Sequence, residues 1–158
     1  MIYSRASEYA IRAFIRLAQA QPGEFILARE IAAQSGVPAH FLAKILQQLA
    51  RQGMLRSSKG PAGGFRLRLD PARISLLRIV AALDGLEDFE RCIGGRAECN
   101  DRADCGMHDS WKALRSRIME FLEGTSIADL AKALEDKRAA GPPRGRRMAK
   151  KAAAARRD

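Results

Sequence analysis

Apolar positions in the first fifty residues recur with a helical period and predict three short helices. In residues 3–20 the repeating stripe consists of Ala6, Ala10, Ala13, Phe14 and Leu17. Pro22 and Gly23 end this helix, and the segment FILAREIAAQSG predicts a second helix that stops at Gly36. A third helix begins near Pro38, and its apolar stripe consists of Phe41, Leu42, Ile45, Leu46 and Leu49. Two short helices joined by a tight turn containing glycine are typical of a helix-turn-helix.

The second helix of such a motif presents a polar face to the DNA major groove. Here that face, named the recognition face, would consist of His40, Lys44, Gln47, Gln48 and Arg51, with Ala39 and Ala43 allowing close approach. Arginine and glutamine side chains suit base edges and phosphates. The alternative is an ordinary helical hairpin in a core.

After Gly53 the period changes from helical to alternating. Residues 56–59 predict a strand, residues 60–64 a glycine-rich turn, and residues 65–69 a second strand. One side of the second strand would carry Phe65, Leu67 and Leu69, and the other Arg66 and Arg68. The result is a β-hairpin wing, which favours a winged helix-turn-helix over the plain helical hairpin.

Three more helical patterns follow the wing. Residues 71–83 predict a helix that stops at Gly85 and turns inward Ile74, Leu77, Ile79, Val80 and Leu83. HDSWKALRSRIMEFLEG predicts a long helix whose heptad-like seam is Trp111, Leu114, Ile118 and Phe121. The chain could bury that seam internally, but its length and width favour a dimerisation helix. A short last helix is expected around SIADLAKALED.

Charge is distributed unevenly along the 158 residues. Residues 1–69 carry ten Lys and Arg against three acids, residues 70–138 eleven against fourteen, and residues 139–158 seven against one. A basic first third and a basic end indicate contact with a polyanion such as double-stranded DNA. Arg5 and Arg78 interrupt the apolar runs that a signal peptide or membrane span would need, so we expect a cytoplasmic protein without membrane contact.

The expected fold is mainly α with a small β-hairpin wing, a winged helix-turn-helix domain plus a long dimerisation helix. We expect the winged helix-turn-helix and connecting helix in residues 1–84, and a cysteine-rich loop, named the cysteine loop, in residues 85–107. Residues 108–136 would hold the dimerisation helix and the short last helix. Residues 137–158 are predicted to be a disordered basic tail, which either keeps the protein in solution or contacts DNA phosphates.

The cysteine loop holds every cysteine of the chain, Cys92, Cys99 and Cys105, and His108 follows directly. Cytoplasmic thiols stay reduced, and an odd count argues against a disulfide framework. Three thiolates suit an iron–sulfur cluster or a soft metal, and three Cys with one His would also hold zinc. Zinc is disfavoured because no tight Cys-x-x-Cys chelate is present, and free redox-active thiols are the third alternative. The residues expected to shape the loop are Gly94, Gly95, Glu98, Asp101 and Asp104, although an aspartate could also be a ligand.

The stretch SGVPAHFLAKILQQLARQGMLRSSKGPAGGFRL, then ISLLRIVAALDG, the three-cysteine loop and the opening HDSW resemble the Rrf2 family of bacterial winged-helix regulators, with its IscR-like and NsrR-like members. The resemblance spans roughly residues 1–136. It implies a homodimeric transcriptional regulator with a recognition helix over residues 38–51. We expect a repressor, with an activator as the alternative. By the same resemblance Pro38 would begin the DNA-contacting recognition helix, and the wing residues near the DNA backbone or minor groove would be Arg56, Ser58, Lys59, Gly60 and Arg66.

The resemblance also implies an iron–sulfur cluster that reports on redox state, nitric oxide or iron–sulfur status, with the choice between two and four irons open. Its fourth ligand would be His108, as in the IscR pattern, or Glu8 from the partner's first helix, as in the NsrR pattern. The first cysteine gap is one residue longer here than in the IscR pattern. Neither a nucleotide-binding glycine loop, a catalytic carboxylate pair nor a Cys-x-x-Cys motif is present, so we expect no enzyme and no small-molecule substrate.

Overall fold

The computed structural model describes residues 2–96, 99–102 and 105–141. In chain order the elements are α1 Arg5–Ala18, α2 Ala28–Ser35, α3 Ala39–Arg51, β1 Leu55–Ser58, β2 Gly64–Leu67, a 3-10 turn Pro71–Arg73, α4 Leu76–Leu83, α5 Glu87–Glu90, α6 His108–Gly124 and α7 Ile127–Ala139. The strands form one antiparallel hairpin, with Leu55 opposite Leu67 and Ser58 opposite Gly64. A mainly α fold with a small wing is therefore confirmed.

One hydrophobic core joins the helix-turn-helix to the C-terminal helices. Phe14 of α1, Leu42 and Leu46 of α3, Leu122 of α6 and Ile127 of α7 are all fully buried. The stripes predicted for the first and third helices lie in this core, except that Phe41 is 46 % exposed and packs edge-on against Tyr9. Since α6 and α7 share a core with α1 and α3, their position is coupled to that of the recognition face.

The second helix begins later than its sequence pattern predicted. Residues 25–27 precede α2, because the N–H and carbonyl of Ile26 pair with Phe65 of β2 at 3.0 and 2.8 Å. This short bridge fastens the hairpin to the body of the domain. The pattern could not show it, because the partner lies about forty residues further along the chain.

The helix predicted over residues 71–83 is divided in two. The amide of Leu76 donates to the carbonyl of Thr125 at 3.0 Å, and the amide of Ile127 donates to that of Ile74 at 2.9 Å. The Ile74 carbonyl thus accepts a distant amide, and the amide of Arg78, which a continuous helix would direct to that carbonyl, donates instead to the Ser75 hydroxyl, so α4 starts only after the N-cap Ser75. The pairing ties the junction between α6 and α7 to the start of α4. The one-turn helix α5 was not predicted.

The predicted apolar seam of α6 is only partly buried within its own chain. Leu114 is 51 % exposed and Phe121 57 % exposed, whereas Trp111 and Ile118 are half-buried. Helix α7 continues to Ala139, beyond the predicted boundary at residue 136. The rest of the predicted basic tail, from residue 142, lies outside the described residues. No helix in the described part of the chain is long and apolar enough to cross a membrane.

Candidate functional site

Helix α3 presents the predicted recognition face to solvent. Its exposed side chains include His40, Lys44, Gln47 and Arg51, and Ala43 between them is half-buried. Gln48 is also exposed, but its amide nitrogen donates to the carbonyl of Ala82 in α4 at 3.4 Å, beside the 3.0 Å bond from Gln52. The structure therefore turns the amide of Gln48 toward α4, which the helical pattern alone did not reveal.

Cationic and polar side chains of the wing are divided between solvent and the body of the domain. Arg56, Ser58 and Lys59 are exposed, and Gly60 occupies the turn with a φ of +101°. Arg66 lies directly opposite Arg56, and its guanidinium stacks 4.9 Å from the centre of the Phe25 ring. A cation over an aromatic face is stabilised. Arg66, expected near DNA, thus faces inward in this structure.

An acidic side chain missed by the sequence analysis connects α1 to the end of α4. The carboxylate of Asp84 accepts from the amide of Ser4 at 2.8 Å, from the Ser4 hydroxyl and from the buried Ser7 hydroxyl at 2.9 Å. Asp84 directly precedes the cysteine loop. The beginning of α1 and the beginning of this loop are therefore held together by one carboxylate.

Cys99 occupies a central position among the candidate ligands. Its Sγ lies 3.5 Å from Nδ1 of His108, and its side chain is close enough to that of Cys92 for each thiol to shift the pKa of the other. Cys105 is near enough for its charge to act on Cys99, and all three thiols are half-buried and free. His108 itself is buried at 7 % exposure as the first residue of α6, so it is neither a surface residue nor a helix cap.

The surroundings of Cys92 and Cys99 shift the pKa values of the two thiols in opposite directions. Backbone N–H groups of Arg96 and Gly94 stabilise a thiolate and lower the pKa of Cys92. Burial, and next the nearby charge of Cys92, raise the pKa of Cys99. Cys92 is therefore more easily deprotonated than Cys99.

Asp101 contacts His108 from the side opposite Cys99. Its Oδ1 lies 2.9 Å from Nε2 of His108 and 2.6 Å from Nζ of Lys112. The hydrogen bond from Lys112 and then that from His108 lower the pKa of Asp101, so it is a carboxylate at neutral pH. From the sequence, Asp101 was expected to shape the loop or to be a ligand, and its contact with His108 was not foreseen. A clue was the presence of Lys112 one helical turn after His108.

In residues 2–96, 99–102 and 105–141, no three His, Cys, Asp or Glu side chains converge into a group ready to hold a metal ion. The candidates are instead linked in pairs through Cys99. Glu8 forms an ion pair with Arg12 on its own helix at 2.5 Å, and Glu98 and Asp104 lie outside the described residues. By donor chemistry, three thiols and an imidazole fit an iron–sulfur cluster or zinc.

Residues 3–133 match the family model Rrf2, described as an iron-dependent transcriptional regulator. The chain belongs to the Rrf2 family. Proteins of this family regulate transcription and are not enzymes, so this Rrf2 chain is a DNA-binding transcriptional regulator.

Individual relatives agree with the family model. The regulator IscR of Aliivibrio salmonicida is 34 % identical over 123 residues, which cover 77 % of this Rrf2 chain and 72 % of that protein. An HTH-type regulator of Aquifex aeolicus is 35 % identical over 132 residues, covering 82 % of this chain and 91 % of that protein.

Solved structures share the fold. The global cysteine regulator CymR of B. subtilis superposes with a TM-score of 0.70 at 23 % identity, covering 82 % of this Rrf2 chain and 95 % of CymR. IscR of T. potens gives a TM-score of 0.69 at 22 % identity, covering 90 % of this chain and 92 % of that one. At these identities the likeness concerns the fold alone.

Proposed function

We propose that this Rrf2 protein is a cytoplasmic repressor that binds its operator as a homodimer and whose DNA binding is modulated by an iron–sulfur cluster in the cysteine loop. The observation that carries the proposal is the contact of Cys99 with both Cys92 and the buried His108. The family description and the IscR relatives support the same chemistry.

In this proposal Cys92, Cys99 and Cys105 supply three thiolates, and the fourth ligand is His108 or Glu8 of the partner subunit. An iron–sulfur cluster supplies a redox-active centre that oxidants and nitric oxide attack. Of the two fourth ligands, the structure favours His108, because it already contacts Cys99, whereas Glu8 is paired with Arg12. The thiolates suit both two-iron and four-iron clusters.

Contacts from α6 can transmit the state of the loop to the DNA-binding surface. The indole N–H of Trp111 donates to the carbonyl of Arg91 at 3.2 Å, and the guanidinium of Arg115 donates to that of Phe89 at 3.3 Å. Both bonds tie the first part of the loop to α6, whose far end shares the core with α3. A tenfold change in DNA affinity needs a difference of only about 1.4 kcal/mol between the two states.

For DNA binding we propose that α3 enters the major groove and the wing follows the backbone. The proposed contacts are Pro38, Ala39, His40, Ala43, Lys44, Gln47, Gln48, Arg51, Arg56, Ser58, Lys59, Gly60 and Arg66. For Gln48 and Arg66 this requires a change of rotamer, since both face the protein here. Lys44→Ala should weaken binding to the operator more than binding to unrelated DNA. Equal weakening on both would make Lys44 a phosphate contact.

The cluster is tested by anaerobic purification, an absorption spectrum, and analysis of iron, sulfide and zinc. We expect a coloured protein containing iron and acid-labile sulfide. His108→Ala should bleach or shift the spectrum, with Glu8→Ala as its matched comparison. A colourless protein with stoichiometric zinc would refute the cluster.

The alternative function is a winged-helix regulator whose loop carries zinc or senses oxidants through free thiols. The proximity of Cys92 and Cys99 favours the thiol version, since a thiol with a lowered pKa lies beside a second thiol. Under this alternative, metal-free protein treated with peroxide would form a Cys92–Cys99 disulfide and change its operator affinity. If the loop instead carries a cluster, a change in operator affinity on treatment with peroxide should be accompanied by loss of iron.

A further inference from the structure

We propose that Asp101 is a positioning residue that fixes the tautomer and orientation of His108, so that Nδ1 is the nitrogen offered to a metal or cluster in the cysteine loop. In its assignment of Nδ1 as ligand, the inference rests on the proposed function. The orientation of His108 itself is a property of the metal-free chain. Asp101 would therefore act through His108 without being a ligand.

Contacts on the two sides of the imidazole define the same tautomer independently. A carboxylate only accepts hydrogen bonds, so the neutral ring must donate from Nε2 to Oδ1 of Asp101, 2.9 Å away. On the other side Nδ1 is then left with its lone pair and accepts from the Cys99 thiol, whose Sγ lies 3.5 Å away. Of the two neutral tautomers, only the one protonated at Nε2 satisfies both contacts.

Lys112 fixes the direction of the hydrogen bonds that connect Asp101, His108 and Cys99. Its ammonium can only donate, and it lies 2.6 Å from the Oδ1 that also accepts from His108. The order is thus ammonium, carboxylate, imidazole, thiol, with each hydrogen bond donated toward the carboxylate or toward Nδ1. The His108 side chain is 8 % exposed and begins α6, so its ring is enclosed on a rigid element while Asp101, 73 % exposed, holds it from outside.

A carboxylate behind a histidine ligand has a known physical effect. It orients the ring, fixes which nitrogen is free and raises the basicity of that nitrogen. Here the free nitrogen faces a thiol that the proposed function also makes a ligand. Removal of Asp101 should therefore weaken the site without removing any of its four donors.

The first experiment uses the full-length, metal-free protein labelled with ¹⁵N-histidine at about pH 8, where an ordinary histidine is neutral. The chain has two histidines, and a His40→Gln variant assigns the other signals to His108. We expect a protected N–H on Nε2 of His108. Asp101→Ala should exchange this proton about tenfold faster, the loss expected for one hydrogen bond of about 1.4 kcal/mol.

Asp109→Ala is the matched control, because it removes an exposed acid of the first turn of α6, one residue after His108. It should leave the exchange rate unchanged. Asp101→Asn, which keeps the shape, should lie between wild type and Asp101→Ala. A protected proton on Nδ1, or equal exchange in wild type and Asp101→Ala, would overturn the inference.

The second experiment follows the release of iron to a chelator after anaerobic reconstitution. Asp101→Ala should release iron about 10- to 100-fold faster than wild type. Combined with His108→Ala, it should add nothing to the effect of His108→Ala alone. If His108→Ala releases iron faster than wild type but Asp101→Ala does not, the positioning role is refuted. If wild type takes up no iron and sulfide, the proposed function fails, whereas the NMR result on the metal-free chain stands separately.

Discussion

Gly64 shows at the scale of one residue how the wing is fastened to the domain. Its φ is +131°, and a Cβ placed there would lie 2.2 Å from the carbonyl oxygen of Ile26. That oxygen accepts the amide of Phe65, so the strand and the 26–27 segment need this close approach. No side chain fits without separating them.

We predict that Gly64→Ala lowers the free energy of unfolding by about 1–3 kcal/mol for the backbone conformation and by about 1–3 kcal/mol more for the clash. Gly60→Ala is the matched control. Its φ is also positive, at +101°, but a Cβ there meets nothing within 4 Å, so only the first cost applies. Urea denaturation of both variants measures the difference, and equal losses would contradict a close contact at Gly64.

His108 and Asp101 mark the limit of sequence reasoning at the residue scale. The four candidate donors followed from residue type and spacing. Contacts between them did not, because a loop has no period from which the direction of a side chain can be deduced. The inward turn of Arg66 onto Phe25 was unforeseen for a similar reason. Strand alternation predicts the direction of its Cα–Cβ bond but does not fix the rotamer of the rest of the side chain.

Among the elements, α7 has the most complete cap. The Ser126 amide and hydroxyl donate to Asp129 at 3.0 and 2.6 Å, and the Asp129 amide donates to the Ser126 hydroxyl at 3.2 Å. These bonds lower the pKa of Asp129 below its ordinary range. Because the pKa of Asp129 is lower in the folded state than in the unfolded state, its ionised form stabilises the fold. This stabilisation is complete above the unfolded pKa, about 3.9, and is lost as the pH falls through the folded pKa.

We predict that Ser126→Ala brings the pKa of Asp129 back toward its ordinary value and flattens the loss of stability below about pH 4. At neutral pH the variant should be less stable than wild type, by about 1 kcal/mol for the lost cap. Denaturation between pH 7 and 3 measures both effects. Ser116→Ala, which changes an exposed serine inside α6, should retain the wild-type acid profile, and a Ser126→Ala profile parallel to wild type would count against the cap.

Element types were predictable because most helices carry a one-sided apolar stripe that the chain buries. The start of α2 and the break before α4 were not, because each depends on backbone hydrogen bonds to a distant segment, Phe65 in one case and residues 125–127 in the other. Helix α5 was missed because one turn is too short for a period. Periodicity thus predicts which segments are helical and leaves their ends to tertiary contacts.

At the scale of the whole molecule, the basic tail is a second cationic region in addition to the DNA-binding part. Residues 142–158 carry seven Lys and Arg and one acid. We predict that their deletion reduces the slope of log affinity against log salt by about 0.9 for each phosphate that the tail neutralises, and leaves the ratio of operator to non-operator affinity unchanged. Fluorescence anisotropy at several salt concentrations measures both. An unchanged slope would mean that the tail does not bind DNA.

Assembly should depend on the apolar face that α6 leaves open. Leu114 and Phe121 are two turns apart and more than half exposed, and large apolar patches on a folded protein mark interaction sites. A second copy of the same helix is the occupant that a heptad-like seam fits. We predict that Leu114→Glu and Phe121→Glu give a monomer at micromolar concentration in analytical ultracentrifugation, with operator binding weakened about tenfold or more. Ser116→Glu, with the same charge on the opposite face of α6, should remain dimeric, and a dimer in all three variants would place the interface elsewhere.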